Sequence, residues 1–172
     1  MSLPAQKFRE VVFQMLYSYD TGRATDEDML DMLSSELEVT KKSVREAQVR
    51  VHEILSHLPK IDELISNTSQ SYAFERIQTV EKNILRLGMF EMLFDSSIPE
   101  KVAIAEAMRL ARKFSTRESA TFVNAILDAS LKSSQGKQIE GKELQESAEE
   151  LNLIEEVSKE AALQKKEIDH SP

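Results

Sequence analysis

Cationic and aromatic side chains share one face of the first predicted helix. Arg9, Phe13 and Tyr17 are spaced i, i+4 and i+8, and Lys7 lies close by. Residues at this spacing are neighbours on a helix surface. Cations beside aromatic rings suit unpaired nucleic-acid bases, because they combine phosphate neutralisation with a stacking platform. Alternatively the aromatic stripe packs against a neighbouring helix, and for Phe13 the pattern favours this core role.

A second group of cations lies on one face of a later helix. Arg109, Arg112 and Lys113 are placed opposite the apolar side of that helix. Residues 101–117 contain five basic residues against one acidic residue, although the formal net charge of the whole chain is −8. Binding of a polyanion responds to the local potential more than to the net charge. The cluster therefore indicates either a solvated basic face or a nucleic-acid contact.

The composition offers no constellation for catalysis or cofactor binding. The chain has no cysteine, which excludes disulfides, thiol catalysis and cysteine-bound zinc, and its four glycines are too sparse for a phosphate-binding loop. His52, His57 and His170 have no second ligand at metal spacing. We therefore expect no enzymatic activity, no metal and no cofactor. The sequence shows neither a signal peptide nor a membrane-spanning stretch, so we expect a cytoplasmic protein without a membrane partner.

The helical period of the apolar residues predicts an all-α fold. The first helix has an apolar face from Phe8 to Tyr19, and Gly22 is placed to end it. Residues 84–94 are apolar on nearly every side, which is typical of a buried helix at the centre of a fold. Ser115 to Glu118 has the form of a capping box that opens the last core helix.

A change of composition near residue 135 predicts two parts. Residues 1–134 form the helical domain, and residues 135–172 form an acidic C-terminal extension. From Lys132 onward the chain has six basic residues against ten acidic ones. The sparse apolar residues permit an amphipathic helix, but the composition also fits an extension that is loosely docked or disordered. One hypothesis is that the extension shields the basic face until a partner displaces it.

Short motifs in a fixed order carry a family resemblance. They are Arg9-Glu10 and Leu16-Tyr17, Val80-Glu-Lys82 with Ile84-Leu-Arg86, Val102-Ala-Ile104 with Glu106-Ala107, and Phe122-Val-Asn124 with Leu127-Asp128. In this order they resemble the NusB family of transcription antitermination factors, from about Phe8 to Asp128. The resemblance implies two small helical bundles packed crosswise. It further implies binding of single-stranded boxA RNA in ribosomal RNA leaders together with the ribosomal protein NusE, so that RNA polymerase reads through terminators.

The resemblance and the basic face together assign candidate residues. The RNA-binding set consists of cations and of polar or aromatic residues near the start of the last core helix: Lys7, Arg9, Tyr17, Arg109, Arg112, Lys113, Glu118, Thr121, Phe122 and Asn124. The partner-binding set is Glu81 and Lys82, at the start of the central helix. Other interpretations stay open, because Phe122 lies beside inward-facing residues and Glu81 is also a favourable carboxylate at a helix start.

Three departures from the family pattern bear on these assignments. The arginine-rich first segment of the family is reduced here to Lys7 and Arg9, and Ala105 and Ala125 stand where the family usually has Asn and Gly. Fewer phosphate contacts lower both the affinity for RNA and its salt dependence. We therefore expect weak intrinsic RNA binding. We also expect replacement of Lys7 and Arg9 by alanine to reduce RNA binding while leaving thermal stability nearly unchanged.

Two charged residues interrupt the central apolar helix. Arg86 and Glu91 are expected to form structural ion pairs, because a buried charge requires a partner.

Two alternatives to antitermination remain. One is a helical scaffold or homodimer of the same fold that has lost RNA binding with the arginines. The other is the NusB-like RNA-binding module of certain ribosomal RNA methyltransferases, which predicts a catalytic domain with a glycine-rich cofactor loop that this sequence lacks.

Overall fold

The protein is helical throughout the part of the chain that the structure describes. This structure is a computed structural model, and it describes residues 3–22, 26–69, 71–136 and 141–169. The elements are α1 (Ala5–Thr21), α2 (Asp26–Glu36), α3 (Lys41–Ser56), α4 (Leu58–Thr68), a short 3-10 helix (Phe74–Arg76), α5 (Thr79–Phe94), α6 (Glu100–Phe114), α7 (Arg117–Ser134) and α8 (Gly141–Asp169). The all-α prediction is confirmed. None of these helices is long and apolar enough to cross a membrane.

The central helix of the fold is α5. Its residues are buried without interruption from Asn83 to Met92, because α1, α4, α6 and α7 all contact it. Each large aliphatic side chain buried in this way contributes about 1.5–3 kcal/mol to folding. The central position predicted for this segment is confirmed.

Gly88 sets how closely α5 approaches its neighbours. A Cβ atom at this position would lie 2.9 Å from Leu127 Cδ1 on α7 and 3.2 Å from the Ala107 Cβ on α6. Since interiors are packed without spare volume, a side chain here would displace the end of the Leu127 side chain and crowd Ala107. The close contact fixes α6, which carries the predicted basic cluster.

Two helix ends were predicted from the sequence, and the structure confirms the end of α1 and corrects the start of α7. Gly22 adopts φ +65° and ends α1, as predicted. At the start of α7 the capping hydroxyl belongs to Thr116, which accepts a hydrogen bond from the Ser119 N–H at 3.1 Å. The prediction of a capping box from Ser115 to Glu118 is therefore wrong by one residue.

Arg86 joins three helices. Its guanidinium donates to both carboxylate oxygens of Asp62 on α4, at 2.8 and 2.9 Å, and lies 3.3 Å from Asp20 on α1. The predicted structural ion pair at Arg86 is confirmed. Such a pair satisfies a charge that would otherwise be buried alone.

The acidic extension contains α8, which contacts α7. Among its described side chains, Leu151, Asn152, Ile154 and Glu155 are half-buried, while Leu153 and Val157 are 62% and 59% exposed. Only one side of this helix therefore rests on the core. The preceding helix α7 ends at Ser134, and residues 137–140 and 170–172 of the predicted extension lie outside the described residues.

Candidate nucleic-acid and partner interface

Arg9 is largely buried and forms an ion pair within the protein. Its Nε atom donates to both carboxylate oxygens of Glu91 on α5, at 2.9 and 3.0 Å, and its side chain is 11% exposed. Burial raises the pKa of Glu91 above its ordinary value, although Arg9 acts in the opposite direction. This guanidinium therefore compensates a buried carboxylate, and the assignment of Arg9 to RNA binding stays a prediction that its burial does not favour. The ion pair predicted for Glu91 is confirmed.

Glu10 on α1 forms ion pairs with two of the predicted cations on α6. Its carboxylate accepts from Arg109 Nη1 at 2.8 Å and from Lys113 Nζ at 2.9 Å. Arg109 also donates to Glu106 at 2.9 Å. Burial acts to raise the pKa of Glu10, but the hydrogen bonds from Lys113 and Arg109 outweigh it, so the pKa lies below its ordinary value. We call these four residues the α1–α6 seam.

Cations beside this seam remain available to a ligand. Arg112 is exposed and forms no ion pair or hydrogen bond with any residue that the structure describes. Lys113 keeps 52% of its side chain exposed, and Lys7 on α1 is half-buried. Of these predicted cations, Arg109 is fixed by its acidic partners and Lys113 is paired with Glu10 but still exposed. Lys7 and Arg112 form no ion pair with any residue that the structure describes.

The two aromatic rings of α1 have different surroundings. Phe13 is 2% exposed, and its ring centroid lies 4.9 Å from that of Phe114. Its predicted core role is confirmed. Tyr17 is half-buried, with its ring centroid 6.4 Å from that of Phe13. Tyr17 therefore remains the ring of this pair that a nucleic-acid base can reach.

At the start of α7, the polar candidate residues are accessible to solvent, whereas Phe122 is buried. Glu118 and Thr121 are exposed and Asn124 is half-buried. Phe122 is 1% exposed and packs edge-on against Tyr72, with the ring centroids 5.5 Å apart. Phe122 is therefore a core residue in this structure, with its ring buried too deeply to stack on a base. Its assignment to RNA binding is not supported by this position.

The two predicted partner contacts also differ in exposure. Glu81 is 5% exposed, and its Oε1 accepts hydrogen bonds from the Ser115 and Ser119 hydroxyls. In this structure it is a buried carboxylate, and its assignment to partner binding stays a prediction. Lys82 is half-buried, with its Nζ 4.6 Å from the centroid of the Phe74 ring. The ammonium group of Lys82 is thus the more accessible charge at the start of α5.

Some residues of the interface escaped the sequence reasoning. Glu10 enters the sequence prediction only through the Arg9-Glu10 motif, although a carboxylate directly before the apolar pair Val11 and Val12 is a signal for a required cation. Tyr72 carried no such signal, because its contacts with Phe122 and Glu155 join distant parts of the chain.

Fold and site together define an all-helical binding protein. Exposed cations flank a paired seam, and the described residues contain no group of three or more side chains that could hold a metal ion. The chain belongs to the NusB family, whose model matches residues 6–132. It is 37% identical over 125 residues to the transcription antitermination protein NusB of Chlamydia pneumoniae, a match that covers 73% of this chain and 78% of that one. Membership makes it a transcription antitermination protein rather than an enzyme.

Solved structures agree with this membership. T. maritima NusB matches with a TM-score of 0.64 and 32% identity, covering 83% of this chain and 98% of that one. A crystal structure of the antitermination factors NusB and NusE in complex with dsRNA matches with a TM-score of 0.63 and 25% identity, covering 74% of this chain and 96% of that one. The NusB-like fold expected from the resemblance is confirmed.

Proposed function

We propose that this protein binds single-stranded boxA-type RNA of ribosomal RNA operon leaders together with the ribosomal protein NusE. In that complex it promotes terminator read-through by RNA polymerase, which implies a cytoplasmic protein. The observation that carries the proposal is the set of solvent-facing cations beside the α1–α6 seam of a NusB-family fold. The similar NusB–NusE complex contains RNA, which supports both ligand classes.

The proposed RNA face combines charge with one accessible ring. Arg112, Lys113 and Lys7 neutralise phosphates, and Tyr17 offers a surface for a base. Arg109 adds positive charge to this face from within the α1–α6 seam. The polar residues at the start of α7 extend the face: Glu118, Thr121 and Asn124. Since Glu10 offsets part of the positive charge of Arg109 and Lys113, we expect weak RNA binding that a protein partner strengthens.

A matched pair of variants tests the RNA face. Arg112→Ala removes an exposed cation from the proposed face, and Arg45→Ala removes an exposed cation from α3. We expect Arg112→Ala to weaken binding of a boxA-like strand and to reduce the slope of log affinity against log salt by about 1, because one phosphate contact is lost. Arg45→Ala is expected to change neither quantity. Equal effects from the two variants contradict this assignment of the face.

The proposed NusE contact centres on the start of α5. Lys82 is its accessible charge, and the preceding residue, Glu81, is a buried carboxylate. We expect Lys82→Glu to weaken NusE binding measured by isothermal titration calorimetry, because it reverses a charge at the contact. Lys42→Glu, which makes the same change at an exposed position of α3, is the control. Unaltered NusE affinity in Lys82→Glu removes α5 from the proposed contact.

A further inference from the structure

A buried carboxylate beneath α8 has an unused oxygen. Glu81 Oε2 is the one buried side-chain oxygen or nitrogen without a hydrogen-bond partner in the part of the chain that the structure describes. Glu81 lines a cavity of about 70 Å³ together with Tyr72 and Ser119. An unpaired buried oxygen raises the free energy of the state that contains it.

The acidic extension forms one wall of this cavity. Leu151, Ile154 and Glu155 of α8 line it on one side. Glu155 accepts a hydrogen bond from the Tyr72 hydroxyl and lies 3.5 Å from Arg76, which also donates to Asn152 at 2.6 Å. No donor from these α8 residues reaches Glu81 Oε2. The extension thus covers the carboxylate without satisfying it.

We propose that α8 is an intramolecular cover of the NusE-binding surface, which NusE displaces to pair a basic side chain with Glu81. The inference rests on the proposed function, because it takes the surface around Glu81 and Lys82 as the NusE contact. A carboxylate flanked by the hydroxyls of Ser115 and Ser119 suits an ammonium or guanidinium group. Displacement of α8 by such a cation supplies the donor that Oε2 lacks.

The side chains with which α8 rests on the core are only partly buried. Leu151 and Ile154 are only half-buried, and every described side chain from 156 to 164 is exposed. The Arg76 side chain is 52% exposed, so its ion pair with Glu155 adds little stability. A segment held in this way opens without unfolding of the core. These contacts lie at Tyr72 and Arg76 rather than at the basic face, where Arg109 and Lys113 pair with Glu10.

Two double variants of the full chain test the cover. Leu151→Asp with Ile154→Asp places charge on the side of α8 that rests on the core. Leu153→Asp with Val157→Asp adds the same charge to its exposed side. If the cover is closed about nine-tenths of the time, the first variant binds NusE about tenfold more tightly than the unmodified protein. The second is expected to bind within about twofold of it. Tyr72→Phe, which removes only the hydroxyl that bonds Glu155, is expected to shift affinity in the same direction as the first variant.

The outcomes separate this inference from the proposed function. Equal NusE affinity of all these proteins overturns the cover and leaves NusE binding in place. Absence of NusE binding in every one of them overturns both. Hydrogen exchange gives a second readout, because amide protection in residues 149–164 is expected to fall when NusE binds. Protection that persists at saturating NusE also overturns the cover.

Discussion

Arg9 on α1 and Glu91 on α5 are 82 positions apart in the sequence, yet the Arg9 Nε lies 2.9 Å from Glu91 Oε1. The pair fastens the first helix to the central helix, with both side chains largely buried. A cation that sequence reasoning assigned to RNA therefore stabilises the fold. The solvent-facing charge of this region is left to Lys7, Arg112 and Lys113.

Loss of the Arg9 side chain is expected to destabilise the protein. Arg9→Ala leaves the buried Glu91 carboxylate without its cation, which costs about 3–5 kcal/mol in comparable buried pairs. Lys7→Ala, on the same helix but without an ion pair in the described residues, is expected to cost under about 0.5 kcal/mol. Urea denaturation measures both. Equal stability of the two variants contradicts the structural role of Arg9 and supports the expectation from the sequence that both positions are nearly neutral for stability.

The lowered pKa of Glu10 predicts a pH dependence. A carboxylate whose pKa is lower in the native state than in the unfolded chain adds stability above its ordinary value of 4.5, and this is lost as the pH falls through the native pKa. Glu10→Gln is therefore expected to be less stable than the unmodified protein by about 1–2 kcal/mol near neutral pH. The difference is expected to shrink at about pH 3. Because both proteins retain Glu91, its contribution cancels in the comparison. A difference in the free energy of unfolding between the two proteins that stays constant with pH excludes the ionisation of Glu10 as its source.

Phe122 is expected to affect stability without affecting RNA contacts. Phe122→Leu removes part of a fully buried ring, and a loss of about 1–2 kcal/mol follows from the altered packing against Tyr72. RNA affinity of the folded variant is expected to match that of the unmodified protein. Thr121→Ala, at the exposed neighbouring position, is expected to weaken RNA binding and to leave stability nearly unchanged. Thermal melts and fluorescence anisotropy together check both variants, and a folded Phe122→Leu with weakened RNA binding returns Phe122 to the interface.

The sequence predicted the parts of this protein that depend on local periodicity. The helical repeat predicted the all-α fold, and the apolar residues on nearly every side of the segment from Ile84 predicted the central helix. The ion pair of Arg9 with Glu91 and that of Glu10 with Lys113 were not predictable in this way, because the partners lie 82 and 103 positions away in the sequence. Phe122 was ambiguous because Val123 and Ile126 share its side of α7. Their burial depends on how α7 packs against its neighbours.

The most direct test of the central claim is RNA binding in the presence of the protein partner. Fluorescence anisotropy compares a boxA-like single strand with a scrambled strand, with and without NusE, at two salt concentrations. We expect preference for the boxA-like strand that strengthens when NusE is added, with binding that weakens as salt rises. Equal binding of both strands in every condition, by a folded protein, contradicts the proposed function and leaves a NusB-family scaffold without RNA specificity.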